Sequence, residues 1–67
     1  MHLKEIKQTI KMRREILNIT QQDLAEISDV GLRTIKLLET GHGNPTYDTL
    51  SKVADVLGME LELRMKE

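Results

Sequence analysis

Apolar residues recur along the chain at two periods, and the change between them divides it. Leu3, Ile6, Ile10 and Leu17 fall three, four and seven residues apart, the stripe of an amphipathic helix. Asn18-Ile19 interrupts it. Thr20 then stands where an N-cap belongs, ahead of a second helix over 21–28, and Asp23 at its third position offers the acidic half of a capping box. Ser28-Asp29-Val30-Gly31 reads as a turn in which Asp29 is a residue type that tolerates left-handed backbone. Gly31 caps a third helix, 31–39, that carries Ile35 and Leu38 inward. Gly41 closes it, Pro45-Thr46 opens a fourth, and Leu50, Val53, Ala54 and Leu57 give that helix its core face before Gly58 stops it.

From Met59 the period becomes two. Met59, Leu61, Leu63 and Met65 alternate with Glu60, Glu62, Arg64 and Lys66, which is strand spacing. Helix propensity argues against it, since Glu, Leu, Met, Arg and Lys all favour helix. A lone strand has no ladder partner within a helical chain, so its apolar face and open edge predict pairing with the same strand of a second copy about a two-fold axis. The expected layout is a helical unit over 1–58 and a dimerising strand over 59–67, with Met59, Leu61, Leu63 and Met65 at the interface.

The chain has 67 residues, room for one small domain, which buries only roughly 60% of its unfolded surface. Apolar residues at 39% and charged residues at 31% describe a globular composition. The absence of cysteine removes disulfides, a thiolate nucleophile and cysteine-based zinc sites. No apolar run approaches ~18 residues, and the start, Met1 to Glu5, mixes charge with single apolar residues. No membrane span or signal peptide is expected, and a cytoplasmic location is the default expectation.

Formal net charge is −1, but residues 1–22 carry five basic against two acidic side chains, and residues 23–67 carry five against nine. That asymmetry is compatible with one basic face. Tyr47 is the sole aromatic, which argues against single-strand and RNA binders that stack bases on several rings.

Two short helices joined by a tight turn make the geometry of a DNA-reading helix-turn-helix. Residues 10–58 resemble the phage-repressor type of this motif, the Cro/cI or xenobiotic-response-element family. The resemblance is carried by Ile10, Arg14, Thr20-Gln21-Gln22-Asp23-Leu24-Ala25, Val30, Thr34-Ile35, Leu38-Glu39, Gly41, Asn44-Pro45, Thr49-Leu50, Ala54 and Leu57-Gly58. It implies an all-α, four-helix, lambda-repressor-like domain. The tail after Gly58 is similar in layout to the HipB-type branch, small antitoxin repressors that dimerise through a C-terminal strand. Two positions depart from the family pattern: Asp29 where Gly is frequent, and Gly31 where Ser or Thr is frequent.

The resemblance implies that helix 31–39 enters the major groove and that the start of helix 21–28 meets the backbone. The expected DNA contacts are Thr20, Gln21, Gly31, Leu32, Arg33, Thr34, Lys36, Leu37 and Thr40. Arg33 has the fork that matches guanine O6 and N7, and Leu32 and Leu37 suit thymine methyl groups. Thr20 and Gln21 suit phosphates. The family also pairs Arg14 with Glu39, here an expected part-buried salt bridge of structural meaning. Catalysis has no support. His2 and His42 are far apart, the carboxylates lie at helix-surface spacing, and Gly41-x-Gly43 lacks the context of a phosphate loop. Neither a metal nor a cofactor is expected.

The function expected is a dimeric, sequence-specific repressor of a palindromic operator, autoregulatory, and the antitoxin to a HipA-like toxin kinase. Two alternatives stand beside it: a protein-interaction module that uses the outward Leu32 and Leu37, and a stand-alone phage-type regulator.

Overall fold

A computed structural model describes residues 3–41 and 44–62, with side chains from Glu5 onward. Among the described residues there are four helices, in order α1 (Leu3–Ile16), α2 (Gln21–Ser28), α3 (Leu32–Thr40) and α4 (Tyr47–Val56). α2 packs on α3 and α4, and α1 packs on α3. Ile10, Leu24, Ala25, Ile35, Leu38, Leu50, Val53 and Leu57 form one buried cluster. Leu24, Ile35, Leu57 and Val53 are its largest wholly buried side chains. No helix of the described residues is long and apolar enough to cross a membrane.

The caps set the helix starts. Thr20 Oγ1 accepts the Asp23 N–H at 3.0 Å, and the Asp23 carboxylate accepts the Thr20 N–H at 2.9 Å, a reciprocal capping box. Thr46 caps α4 by accepting the Thr49 N–H at 3.1 Å. At α3 the cap is Gly31, which has no side chain to give.

Three helix ends share one device. Asn18 (φ 57°), Asp29 (φ 58°) and Gly58 (φ 72°) adopt left-handed backbone. In each case the next residue sends its N–H back to a carbonyl five residues earlier: Ile19 to Arg14 at 3.2 Å, Val30 to Ala25 at 3.0 Å, Met59 to Ala54 at 2.8 Å. This is the Schellman arrangement, and its second element, an apolar residue just past the turn, is present each time. Ile19, Val30 and Met59 all pack onto the core. The pairs Asn18-Ile19, Asp29-Val30 and Gly58-Met59 therefore both stop a helix and anchor the next segment of chain.

That device corrects two expectations. Leu17 belongs to the turn after α1, not to its core stripe, and is 42% exposed. Met59 belongs to the cap of α4, and its N–H is committed to Ala54, so it cannot open a strand ladder. Residues 59–62 form no strand, and there is none among the described residues; a single chain offers their edge no partner. Their alternation is nonetheless visible, with Met59 and Leu61 half-buried against the chain's own core and Glu60 and Glu62 exposed. Leu63 and Met65 lie outside the described residues, as do His2 and His42.

A polar cluster ties three helices together. Arg14 donates from Nε to Glu39 Oε2 at 2.7 Å, from Nη2 to Glu39 Oε1 at 2.9 Å and from Nη1 to the Ile19 carbonyl at 2.9 Å. Gln21 Nε2 adds a longer bond to Glu39 Oε1 at 3.3 Å. The Glu39 side chain is only 4% exposed and that of Arg14 14%. Hydrogen bonding to Glu39, ahead of the opposing effect of burial, holds the Arg14 guanidinium more firmly protonated than usual.

Glu39→Ala strands the Arg14 charge and should lose ~3–5 kcal/mol in denaturant unfolding, against a small loss for the exposed control Glu26→Ala; equal losses would remove the cluster's structural role. At the α2 capping box, hydrogen bonds from the Thr20 backbone and then its side chain hold the Asp23 carboxyl below its ordinary range. A depressed folded-state value stabilises above the unfolded value and is lost as pH falls through the folded one. The melting advantage of wild type over Asp23→Asn should therefore be full at neutral pH and shrink below about pH 4. An advantage independent of pH would contradict it.

Candidate nucleic-acid interface

α2 and α3 are separated by Asp29, Val30 and Gly31. The turn is rigid because Asp29 and Val30 return their N–H groups to Glu26 (3.4 Å) and Ala25 (3.0 Å). Below it, the hydroxyl of buried Ser28 donates to the Leu24 carbonyl, so the one neutral polar side chain buried there is satisfied. α3 is thus fixed relative to α2 by backbone bonds at one end and by the Arg14–Glu39 cluster at the other.

On α3 the burial pattern separates two faces. Ile35, Leu38 and Glu39 are buried; Arg33, Lys36, Leu37 and Thr40 are exposed. The exposed set has spacing i, i+3, i+4, i+7, one continuous stripe along the helix. It contains two cations, one aliphatic side chain and one hydroxyl, which between them match guanine edges, phosphates and thymine methyls. Thr40 also donates from its hydroxyl to the Leu37 carbonyl at 3.2 Å, so it lies close against the helix end. Thr34 is half-buried beside the stripe.

Leu32 departs from the expected outward position. It is half-buried and packs against the core, because it opens α3 one turn before Ile35 and leans the same way. Leu37 alone keeps the exposed apolar role, at 38%.

At the amino-terminal end of α3, Gly31 is exposed, with φ −61° and ψ 145°, and supplies no side-chain cap. The first-turn N–H groups of the helix are left without that acceptor, and they carry the positive end of the helix dipole. An added Cβ at Gly31 would meet nothing closer than Thr34 Oγ1 at 3.9 Å. A glycine is therefore not demanded by backbone or space.

The start of α2 is more divided. Thr20 is exposed but its oxygen serves the capping box. Gln21 is half-buried and turned into the Arg14–Glu39 cluster, which competes with the phosphate role expected of it. Gln22 is exposed at the same helix start, held lightly by a 3.0 Å bond from its amide to Glu26. Helical spacing is the signal that could have found it, since adjacent residues diverge by ~100° and only one of the two glutamines can face inward.

Three of the five cations of residues 1–22 are engaged within the fold. Lys7 donates to the Thr40 carbonyl at 3.0 Å, Arg13 to the Leu57 carbonyl at 3.0 Å, and Arg14 is taken by Glu39. Lys7 and Arg13 thus complete the carboxyl ends of α3 and α4, where the dipole favours positive charge. Among the described residues no cluster of three or more potential metal ligands occurs.

Comparison with known proteins agrees with this geometry. The family model described as Helix-turn-helix matches residues 10–63. The chain is 33% identical over 58 residues to the cryptic phage CTXphi transcriptional repressor RstR of Vibrio cholerae, covering 87% of this chain and 52% of that one, so it spans about half the repressor's length. It is 33% identical over 57 residues to an uncharacterised helix-turn-helix transcriptional regulator of Methanocaldococcus jannaschii, covering 85% of this chain and 86% of that protein. The capped two-helix unit, the shared sequence and the family match over most of its length place this chain in the Cro/cI-type helix-turn-helix family.

Proposed function

We propose that this chain is a sequence-specific DNA-binding transcriptional regulator that reads the major groove with the exposed stripe of α3. The observation that carries the reading is that stripe, Arg33, Lys36, Leu37 and Thr40, presented on a helix whose other face is locked into the core. Arg33 reads a guanine by its fork. Lys36 supplies charge, Leu37 packs on a thymine methyl, and the uncapped α3 amino terminus at Gly31 approaches a phosphate. Thr20 and the α2 start fix register on the backbone. Leu32 and Thr34 support the stripe from its buried side.

Two copies related by a two-fold axis present their α3 helices about one DNA turn, ~34 Å, apart, which makes the operator an inverted repeat. The phage repressor among the relatives supports repression as the outcome. The narrower role is control of the chain's own promoter in the cytoplasm, as antitoxin to a HipA-like toxin kinase bound away from the DNA face. It rests on the layout of the tail alone. Leu37, exposed on the stripe, also suits a protein partner; steep loss of affinity with salt marks phosphate contacts and separates the two.

Selection from a random duplex library at about 150 mM salt, followed by footprinting, should enrich an inverted repeat with half-sites one turn apart. Arg33→Ala should then relax one base position per half-site, at ~1–3 kcal/mol. No enrichment, with binding insensitive to salt, would overturn the reading. Gly31 gives a second test. Gly31→Ser and Gly31→Asp should both stabilise the fold, by a few tenths of a kcal/mol to about 1, by capping α3 and restricting the unfolded chain. Only Gly31→Asp should weaken binding, by placing an anion against phosphate. Equal affinity of the two variants would remove the phosphate from that helix end.

A further inference from the structure

α1, α4 and the segment after Gly58 leave an apolar groove of about 220 Å³ between them. Buried Ile10, Leu50 and Ala54 line it from the core side, and half-buried Ile6, Met59 and Leu61 line it toward solvent. The groove is thus a concave continuation of the core that the described residues leave unfilled. None of the residues lining it belongs to α2 or α3, so it is separate from the reading stripe.

The polar groups at the groove are of one kind. Two exposed carboxylates, Glu5 and Glu60, and the exposed hydroxyl of Thr9 stand at it, and no lysine or arginine lines it among the described residues. The side chains of Glu5, Thr9 and Glu60 are bonded to no other described residue. The Met59 N–H is already committed to Ala54. A ligand in the groove therefore meets apolar walls and negative charge at the rim. An anion is repelled by the rim, a neutral alkyl chain uses the walls alone, and an alkylammonium uses both. The volume sets the size: a dry apolar cavity of about 150 Å³ takes benzene, so this one suits a short alkyl chain or a single ring, and is smaller than the sites of drug-sized ligands.

We propose that the groove between α1 and α4 is a binding site for a small amphiphilic cation, an alkylammonium or arylalkylammonium whose apolar body lies against Ile6, Met59 and Leu61 and whose charge sits at the rim with Glu5 and Glu60. The site stands independently of the DNA reading, since its ligand touches neither helix of the reading unit. Binding to the folded chain alone raises its melting temperature by mass action.

Hexylammonium, hexanol and hexanoate share one chain and differ in charge, so together they separate walls from rim. Each is titrated at low salt into the isotope-labelled full chain and followed by amide chemical shifts. Hexylammonium should shift the amides of α1, α4 and residues 59–61 saturably and bind about fivefold more tightly than hexanol, as an exposed charge pair allows; hexanoate should bind least. Glu5→Gln with Glu60→Gln, both at exposed positions, should bring the amine to the affinity of the alcohol and leave the alcohol unchanged. Leu61→Ala should weaken amine and alcohol alike, and about 1 M salt should narrow the gap between them. Equal affinity of amine and alcohol in the wild type removes the role of the carboxylates and overturns the proposal. So do shifts that map onto exposed Leu37 or Ile27, and so does the lack of any saturable shift in the full chain, which would mean that another part of the chain or a second copy already fills the groove.

Discussion

The Arg14–Glu39 pair is the constraint on which the arrangement of the first three helices depends. A carboxylate with a side chain 4% exposed is costly to desolvate, and a buried pair of this kind contributes little net stability over an apolar substitute. What it provides is geometry. The guanidinium has a fixed planar fork, and here two arms hold both Glu39 oxygens while a third holds the Ile19 carbonyl. The end of α1, the turn into α2 and the last turn of α3 are therefore set by one rigid group. Gln21 joins it from the first residue of α2. Removing either charge leaves the other buried without its counter-charge, which the remaining bonds to the Ile19 carbonyl or from Gln21 do not neutralise.

The other α1 cations extend the same logic. Lys7 and Arg13 donate to the terminal carbonyls of α3 and α4, the groups a helix cannot satisfy for itself. A chain of this size has little apolar area to stabilise it, and its core has no aromatic side chain. Polar completion of helix ends compensates for part of that. Lys7 lies so close that a Cβ on Gly41 would come within 2.8 Å of it, and Gly41 has φ 78°. Glycine there answers the left-handed backbone, while the flexible lysine side chain could move aside.

Much of this is legible in the sequence because capping chemistry is local. Thr20 with Asp23, Thr46, Gly41 and Gly58 mark helix ends by hydrogen bonds that span three to five residues, and all lie at the observed boundaries. The pairing of Arg14 with Glu39 spans 25 residues and is reached through family resemblance, since no local rule contains it. What escapes a local reading is competition between roles. Met59 fits both a strand face and a helix cap, and the cap wins because its bond to Ala54 needs only the chain itself. Leu32 fits both an outward stripe and the core edge, and one turn of offset from Ile35 decides. The charge bias of residues 1–22 reads as a surface until the carbonyls that claim Lys7 and Arg13 are located, and those lie on other helices.

The consequence for recognition is a division of labour along a single helix. Ile35, Leu38 and Glu39 tie α3 to the core and the polar cluster, and the side chains of Arg33, Lys36, Leu37 and Thr40 join neither. Arg33, Lys36 and Leu37 make no side-chain hydrogen bond among those observed within the fold. None of them belongs to the buried cluster, so for Arg33 and Lys36 the stability cost of a new reading stripe is that of ordinary surface exchange, within about 0.5 kcal/mol. A scaffold of this kind separates what it recognises from what holds it together.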